Sequence, residues 1–114
     1  MTLTLRLPWP PSVNHYWFAK GNRRFIGKAG KEFREAVVAE YGTTTPLTGR
    51  LQVHIAVIPL TNARRDLDNL LKAPLDAMQH AGIYLDDGQI DHLEIQRLPK
   101  STPGCLDITI REID

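Results

Sequence analysis

The sequence predicts an α/β fold in a single domain: one mixed four-stranded sheet with two main helices against it, in the order β-α-β-α-β-β. Three observations carry this. Apolar and polar residues alternate in four short runs, the period of a half-buried strand. Two longer runs repeat apolar residues every three or four positions, as amphipathic helices do. Proline or glycine closes most of the runs. With 114 residues, one domain spanning residues 1–114 is expected. A chain of that size buries about two-thirds of its unfolded surface, enough for one core without staples.

The first strand spans residues 2–7, with Leu3, Leu5 and Leu7 alternating against polar neighbours. Pro8, Pro10 and Pro11 stop it, because proline removes a ladder donor. Trp9 to Phe18 reads as an aromatic-rich loop carrying Trp9, Tyr16, Trp17 and Phe18. Such aromatics serve as lids on a core or as platforms for stacked bases. Lys20, Arg23, Arg24, Lys28, Lys31 and Arg34 follow within fifteen residues. They form either a solvated charged face or a phosphate-contacting one. Ala29 to Tyr41 is predicted helical, with Ala29, Phe33, Val37 and Tyr41 as its apolar stripe and Gly42 as its stop. Residues 43–46 connect it to a second strand, Leu51 to Ile58. There Leu51, Val53, Ile55 and Val57 face one way, Gln52 and His54 the other, and Pro59 closes the run.

The second helix is expected to be capped by Asp66 or Asp68 and to run to about Gln79. Leu67, Leu70, Leu71, Leu75 and Met78 form its buried side, and Ala81-Gly82 ends it. Pro74 lies inside this run and removes a hydrogen bond to the Leu70 carbonyl, so a kink or a restart with Pro74 in a first turn is expected. Ile83-Tyr84-Leu85 reads as extended, and Asp86-Asp87-Gly88 as a turn. Ile90 to Leu98 is the third strand, with Leu93 and Ile95 inward. Lys100 to Gly104 reads as a hairpin loop. Leu106, Ile108 and Ile110 alternate in a last strand, antiparallel to the third. The one cysteine, Cys105, excludes an internal disulfide and reads as a small core residue.

Composition narrows the function classes. No apolar run is long enough to span a membrane. The opening segment lacks a charged stretch followed by an apolar one, so no secretory signal is expected and a cytoplasmic, bacterial-type setting fits. The net charge of +1 conceals an asymmetry. Residues 1–60 carry 8 Lys/Arg against 3 Glu, whereas residues 61–114 carry 6 Lys/Arg against 10 Asp/Glu. The first half can supply the basic surface that a nucleic acid wants. The acidic second half repels phosphates unless bound cations offset it.

Arg64-Arg65-Asp66-Leu67-Asp68-Asn69-Leu70-Leu71-Lys72 holds two arginines, two aspartates and a lysine. Asp68, Lys72 and Asp76 are spaced to share a helix face. Aspartate oxygens suit Mg²⁺ or Mn²⁺ rather than zinc, and His15, His54, His80 and His92 show no paired ligand spacing. A metal held here lowers the pKa of a bound water and polarises a phosphoryl oxygen. Lys72 can offset transition-state charge, and Arg64 and Arg65 can grip flanking phosphates. Ordinary helix chemistry accounts for the same residues: aspartate favours helix starts, and Asp68–Lys72–Asp76 is a common ion-pair ladder. Geometry adds a condition. From Asp68 to Gln79 a helix climbs about 16 Å, and residues 80–87 reach at most roughly 27 Å. Asp86 or Asp87 therefore returns to Asp68 only if Ile83–Leu85 runs back along the helix, or a second subunit supplies the carboxylate.

At these residues the chain resembles the RusA family of Holliday junction resolvases, found in bacteria and their prophages. The resemblance covers nearly the whole chain. It rests on Leu7-Pro8-Trp9-Pro10-Pro11-Ser12-Val13-Asn14, on Arg65-Asp66-Leu67-Asp68-Asn69-Leu70 with Lys72, and on Leu85-Asp86-Asp87. It implies a Mg²⁺-dependent endonuclease (Mn²⁺ substituting) that acts as a homodimer on four-way DNA junctions and makes paired symmetric nicks. It further implies Asp66, Asp68 and Asp87 as metal-binding carboxylates and Lys72 as the catalytic lysine, with Asp86 secondary and Asp76 structural. Lys20, Arg23, Arg24, Lys28, Lys31, Arg64 and Arg65 are the candidate DNA contacts, and the aromatic loop a candidate wedge at the branch point. Two other readings stand beside this one. A non-catalytic junction-binding module of the same fold accords with the modest net charge. A Mg²⁺ phosphohydrolase of small nucleotides would need a closed phosphate pocket, and no glycine-rich loop is present to build it.

Overall fold

The computed structural model describes residues 1–42 and 45–113. The predicted loop at 43–46 thus falls partly outside the described residues, at Thr43 and Thr44. In chain order the elements are β1 (Thr2–Pro8), α1 (Val13–Tyr16), β2 (Trp17–Lys20), β3 (Arg23–Ile26), α2 (Lys28–Tyr41), β4 (Arg50–Ile58), α3 (Lys72–His80), β5 (Ile90–Arg97) and β6 (Cys105–Ile113). Two 3₁₀ turns, Leu67–Leu70 and Asp87–Gln89, flank α3.

The predicted mixed sheet is present, in the order β1-β6-β4-β5. β6 pairs antiparallel with both β1 and β4, and β5 lies parallel to β4 at the edge. One inward face follows from the register. Leu7, Leu106 and Val57 lie in one row, and Leu5, Ile108 and Ile55 in the next. All six are buried. Phe33 and Val37 of α2 and Ala73, Ala77 and Met78 of α3 join this core.

The expected hairpin between the third strand and the last does not form. The two run antiparallel, as predicted, but β4 lies between them. A parallel neighbour needs a crossover, and α3 supplies it between β4 and β5. The central place then goes to β6, whose alternating leucine and isoleucines are fully buried, while β5 stays at the edge with mostly exposed residues. Leu93 shows the consequence. It lies opposite Val53, on the inward side, yet remains 40% exposed because the edge strand is incompletely covered.

The aromatic segment is more structured than a loop. A single helical turn at Val13–Tyr16 leads into a β2–β3 hairpin. Gly21 (φ 63°) and Asn22 make its two-residue turn, a Gly-Asn hairpin signal that the sequence does carry. On α2 the stripe is also shifted. Ala29 is exposed, and Gly30 is buried in its place. A Cβ at position 30 would lie 2.7 Å from Ile26 Cγ1 and 3.0 Å from Tyr16 Cδ1, so only glycine lets the helix approach the hairpin this closely.

Candidate active site

The chain reaches the site from β4. Residues 59–65 form a braced loop: the Arg65 guanidinium donates to the carbonyls of Thr61 (3.2 Å) and Ala63 (3.1 Å) and to Thr61 Oγ1 (3.0 Å). It also lies 5.1 Å from the centre of the Trp9 ring, and Arg97 donates to its carbonyl. Arg65 is therefore a brace for the loop rather than a partner for carboxylates. Arg64 is exposed and makes no hydrogen bond or ion pair among the described residues.

Asp66 and Asp68 follow. The expected restart occurs, with two helical pieces spanning this stretch, but the expected aspartate side-chain cap does not form. Leu67–Leu70 is a 3₁₀ turn, with Asp66 in the capping position but no side-chain capping bond. The α-helix begins afresh at Lys72, placing buried Pro74 in its first turn, where a missing N–H costs nothing. Asp68 and Lys72 therefore do not share the face of one helix. The carboxylates of Asp66 and Asp68 are exposed and engage no hydrogen bond or ion pair among the described residues. Beside Asp66 a pocket of about 380 Å³ opens, lined by Trp9, Ser12, Arg64, Arg65, Asn69 and Leu70.

The Asp68–Lys72–Asp76 ladder is absent as well. Lys72 Nζ sits 5.3 Å from the centre of the Trp17 ring, and Arg24 covers the same indole at 5.2 Å. Asp76 turns into the fold. It accepts from Arg34 Nε at 2.8 Å and Nη2 at 2.7 Å and from the Tyr16 hydroxyl. Burial and the Asp76 carboxylate raise the Tyr16 pKa well above the ordinary tyrosine value. The Tyr16 ring meets Trp17 edge-on, with centroids 5.4 Å apart. A locked triad, Tyr16–Asp76–Arg34, thus backs the indole that carries Lys72. Arg34 is consumed here and is unavailable as a surface contact.

Asp87 is placed from the other end of α3. The Tyr84 hydroxyl donates to the Leu75 carbonyl, which fastens this segment against α3 without gathering Asp87 into one cluster with Asp66 and Asp68 among the described residues. The Asp87 N–H then donates to Gln79 Oε1 at 2.9 Å. The predicted Asp86-Asp87-Gly88 turn is present and separates the two acids. Asp86 caps it, accepting from the Gly88 N–H at 3.0 Å, and Gln89 fastens it to the carbonyls of Leu47 and Gly49. The Asp87 carboxylate has no partner among the described residues.

Of the basic residues, Lys20, Arg23 and Arg24 lie exposed on the β2–β3 hairpin. Lys28 and Lys31 lie exposed on the first turn of α2, with Lys28 3.9 Å from Glu32. Phe18 and Phe25 stack on the hairpin with centroids 6.5 Å apart, each nearly half exposed. Trp9, Tyr16 and Trp17, by contrast, pack on or in the core. Sequence reasoning missed Trp17 as a support for Lys72. No spacing rule reveals it, because the contact joins a hairpin to a helix far along the chain.

Hard carboxylate oxygens are the donors that a divalent cation takes. Among the described residues no three His, Cys, Asp or Glu gather closely enough to hold one. The donors nevertheless fit in kind. They are hard, exposed and uncommitted oxygens, and Mg²⁺ is ordinarily held by one or two carboxylates plus water and substrate phosphate rather than by an all-protein cage.

Exposed carboxylates with no partner among the described residues, a lysine held against Trp17 and two arginines lining the pocket beside Asp66 suit work at phosphate esters. The endodeoxyribonuclease RusA family model matches residues 8–111, and the chain belongs to that family. Crossover junction endodeoxyribonucleases RusA of Escherichia coli K12, Shigella sonnei and Enterobacteria phage 82 are each 34% identical to it, over 98% of this chain and 96% of theirs. Among the described residues no helix is long and apolar enough to cross a membrane.

Proposed function

We propose that this chain is a Mg²⁺-dependent endonuclease that resolves four-way DNA junctions by paired symmetric nicks, acting as a homodimer. The observation that carries the reading is the pair of exposed, partnerless carboxylates, Asp66 and Asp68, immediately ahead of a lysine held against Trp17. Family membership supplies the substrate, as the relatives named above are crossover junction endonucleases.

Asp66 and Asp68 would hold the Mg²⁺ together with water and substrate phosphate, with Asp87 joining them where its loop or a second subunit brings it close; the ion when bound would supply a more acidic water and polarise the phosphoryl oxygen. The remaining work falls to the chain. Lys72 presents its ammonium to the extra negative charge that develops on the scissile phosphate. Trp17 restricts that ammonium without neutralising it, as a carboxylate partner would. Arg64 binds the adjoining phosphate. Lys20, Arg23, Arg24, Lys28 and Lys31 hold a duplex arm through its backbone, so recognition comes from junction shape rather than base sequence. A two-fold dimer presents two equivalent sites, which matches symmetric cuts on opposed strands.

The test incubates labelled four-way junctions with wild type and Asp68→Asn, with and without Mg²⁺. Paired nicks by wild type alone, only with the metal, are expected. Junction binding without metal-dependent nicking would replace this reading with that of a binding module, and undiminished nicking by Asp68→Asn would remove Asp68 from the site.

A further inference from the structure

Composition makes residues 61–114 acidic, yet four of their six Lys/Arg converge on one cleft. Arg64, Arg65, Arg97 and Lys100 line a space of about 590 Å³ together with Pro59, Asn62 and Pro99. Among the described residues no Asp or Glu lines it. Its walls are fixed rather than loose. The Leu98 N–H donates to the Val57 carbonyl at 2.8 Å and the Ser101 N–H to the Pro59 carbonyl at 2.9 Å, so residues 98–101 run bound beside the end of β4. Across the cleft Arg65 donates to the Thr61 and Ala63 carbonyls and Arg97 to that of Arg65. Arg64 and Lys100 are left without a hydrogen bond or ion pair among the described residues.

We infer that this cleft is a second nucleic-acid site, which takes the phosphodiester backbone of the strand leading away from the cut. The inference rests on the junction-nuclease reading and extends it. Four cations with no acid among them are unfavourable as a self-contained surface and complementary to a polyanion. Arg64 and Arg65 line both this cleft and the pocket beside Asp66, so a strand lying in the cleft runs directly onto the carboxylates. The basic hairpin holds one arm of the DNA, and this cleft holds the strand beyond the cut. Arg64 and Lys100 bind the phosphates directly, while Arg65 and Arg97 keep the groove open and contribute long-range field.

The experiment measures binding of an intact four-way junction without divalent cation over a series of salt concentrations, by fluorescence anisotropy. It compares wild type, Lys100→Ala, Lys100→Arg, the double variant Arg64→Ala/Lys100→Ala, and Arg111→Ala on the opposite face of the sheet as a charge control. Removing one cation that neutralises a phosphate lowers the slope of log affinity against log salt by about 0.9. Lys100→Ala should drop by about that amount and the double variant by about twice it, with Lys100→Arg and Arg111→Ala at the wild-type slope. A wild-type slope in Lys100→Ala, a double variant that drops no further than Arg64 alone accounts for, or an equal drop in Arg111→Ala overturns the inference, while wild-type binding and nicking leave the main reading standing. Failure of wild type to bind the junction at all removes the main reading and this one with it.

Discussion

Replacing Asp76 by alanine separates a structural acid from a catalytic one. Asp76 is the common acceptor for Arg34 and for the Tyr16 hydroxyl. The arginine and aspartate side chains are only 23% and 20% exposed. Removing the carboxylate leaves a mostly buried guanidinium without its counter-charge, a change that costs roughly 3–5 kcal/mol when burial is complete. Residual solvent brings this to the lower end. The Tyr16 hydroxyl still accepts from Arg34 Nε at 3.2 Å, but its own proton loses its acceptor, because a guanidinium only donates, and that unmade donation adds about 1 kcal/mol. A loss of about 4 kcal/mol follows, or roughly 15 °C in Tm for a domain of this size. Thermal unfolding followed by circular dichroism reads it directly. Asp76→Asn retains an acceptor and should lose less than half as much. In both variants the nicking rate, corrected for the folded fraction, should fall by no more than about tenfold, because Asp76 acts on Lys72 only through Tyr16 and Trp17. A Tm change below about 3 °C for Asp76→Ala refutes the argument. So does a collapse of nicking in a fully folded Asp76→Asn, which would make this acid a participant in the chemistry.

Two further outcomes follow from the same neighbourhood. Trp17→Leu keeps an apolar, smaller support but removes the ring that attracts the Lys72 ammonium, an interaction worth about 1 kcal/mol at a half-buried site. Nicking under saturating junction should fall roughly fivefold, with most of it retained in Trp17→Phe. The upfield ring-current displacement of the Lys72 side-chain protons in NMR spectra should vanish in Trp17→Leu, and its persistence there would remove Trp17 as the positioning group. Tyr16 and Tyr84 both have pKa values raised above the ordinary tyrosine value, chiefly by burial. In the unfolded chain these phenols ionise from about pH 10 upward, whereas in the fold they stay protonated. The folded state then binds more protons, so stability is full below pH 10 and declines above it. Urea midpoints should be flat between about pH 7 and 9 and fall by about pH 11, and Tyr84→Phe should lessen the fall.

Much of the scaffold was legible because its period is regular. Leu51, Val53, Ile55 and Val57 alternate without interruption, and all are buried in β4. What escaped was pairing. Alternation tells which side of a strand faces inward, not which strand lies beside it, so β6 read as the hairpin partner of β5 although it sits between β1 and β4. Leu93 shares this origin: its side was legible, its distance from the covering helices was not. The carboxylates were legible as a constellation and less so as geometry. Pro74 gave notice that the helix would restart, and the structure shows the restart at Lys72, which separates Lys72 from Asp68 in a way that four-residue spacing cannot express. Arg34 looked like one more surface cation in a basic run. Its burial against Asp76, 42 residues later, depends on two helices meeting, which no local pattern encodes.

The place of β6 in the sheet governs how the chain comes together during synthesis. It is the last strand in chain order, yet it lies between β1 and β4. A nascent chain that has already emitted β1, β4 and β5 still lacks the strand that joins β1 to the β4–β5 pair. Until then β4 has an unpaired backbone edge beside apolar side chains (Leu51, Val53, Ile55, Val57), the kind of surface on which unfinished chains associate. β1 has no sheet to join until a partner about a hundred residues downstream arrives, and such distant pairings form slowly. Folding of this domain is therefore completed after translation of β6, and an interruption of the reading frame before Cys105 yields a chain missing its central strand.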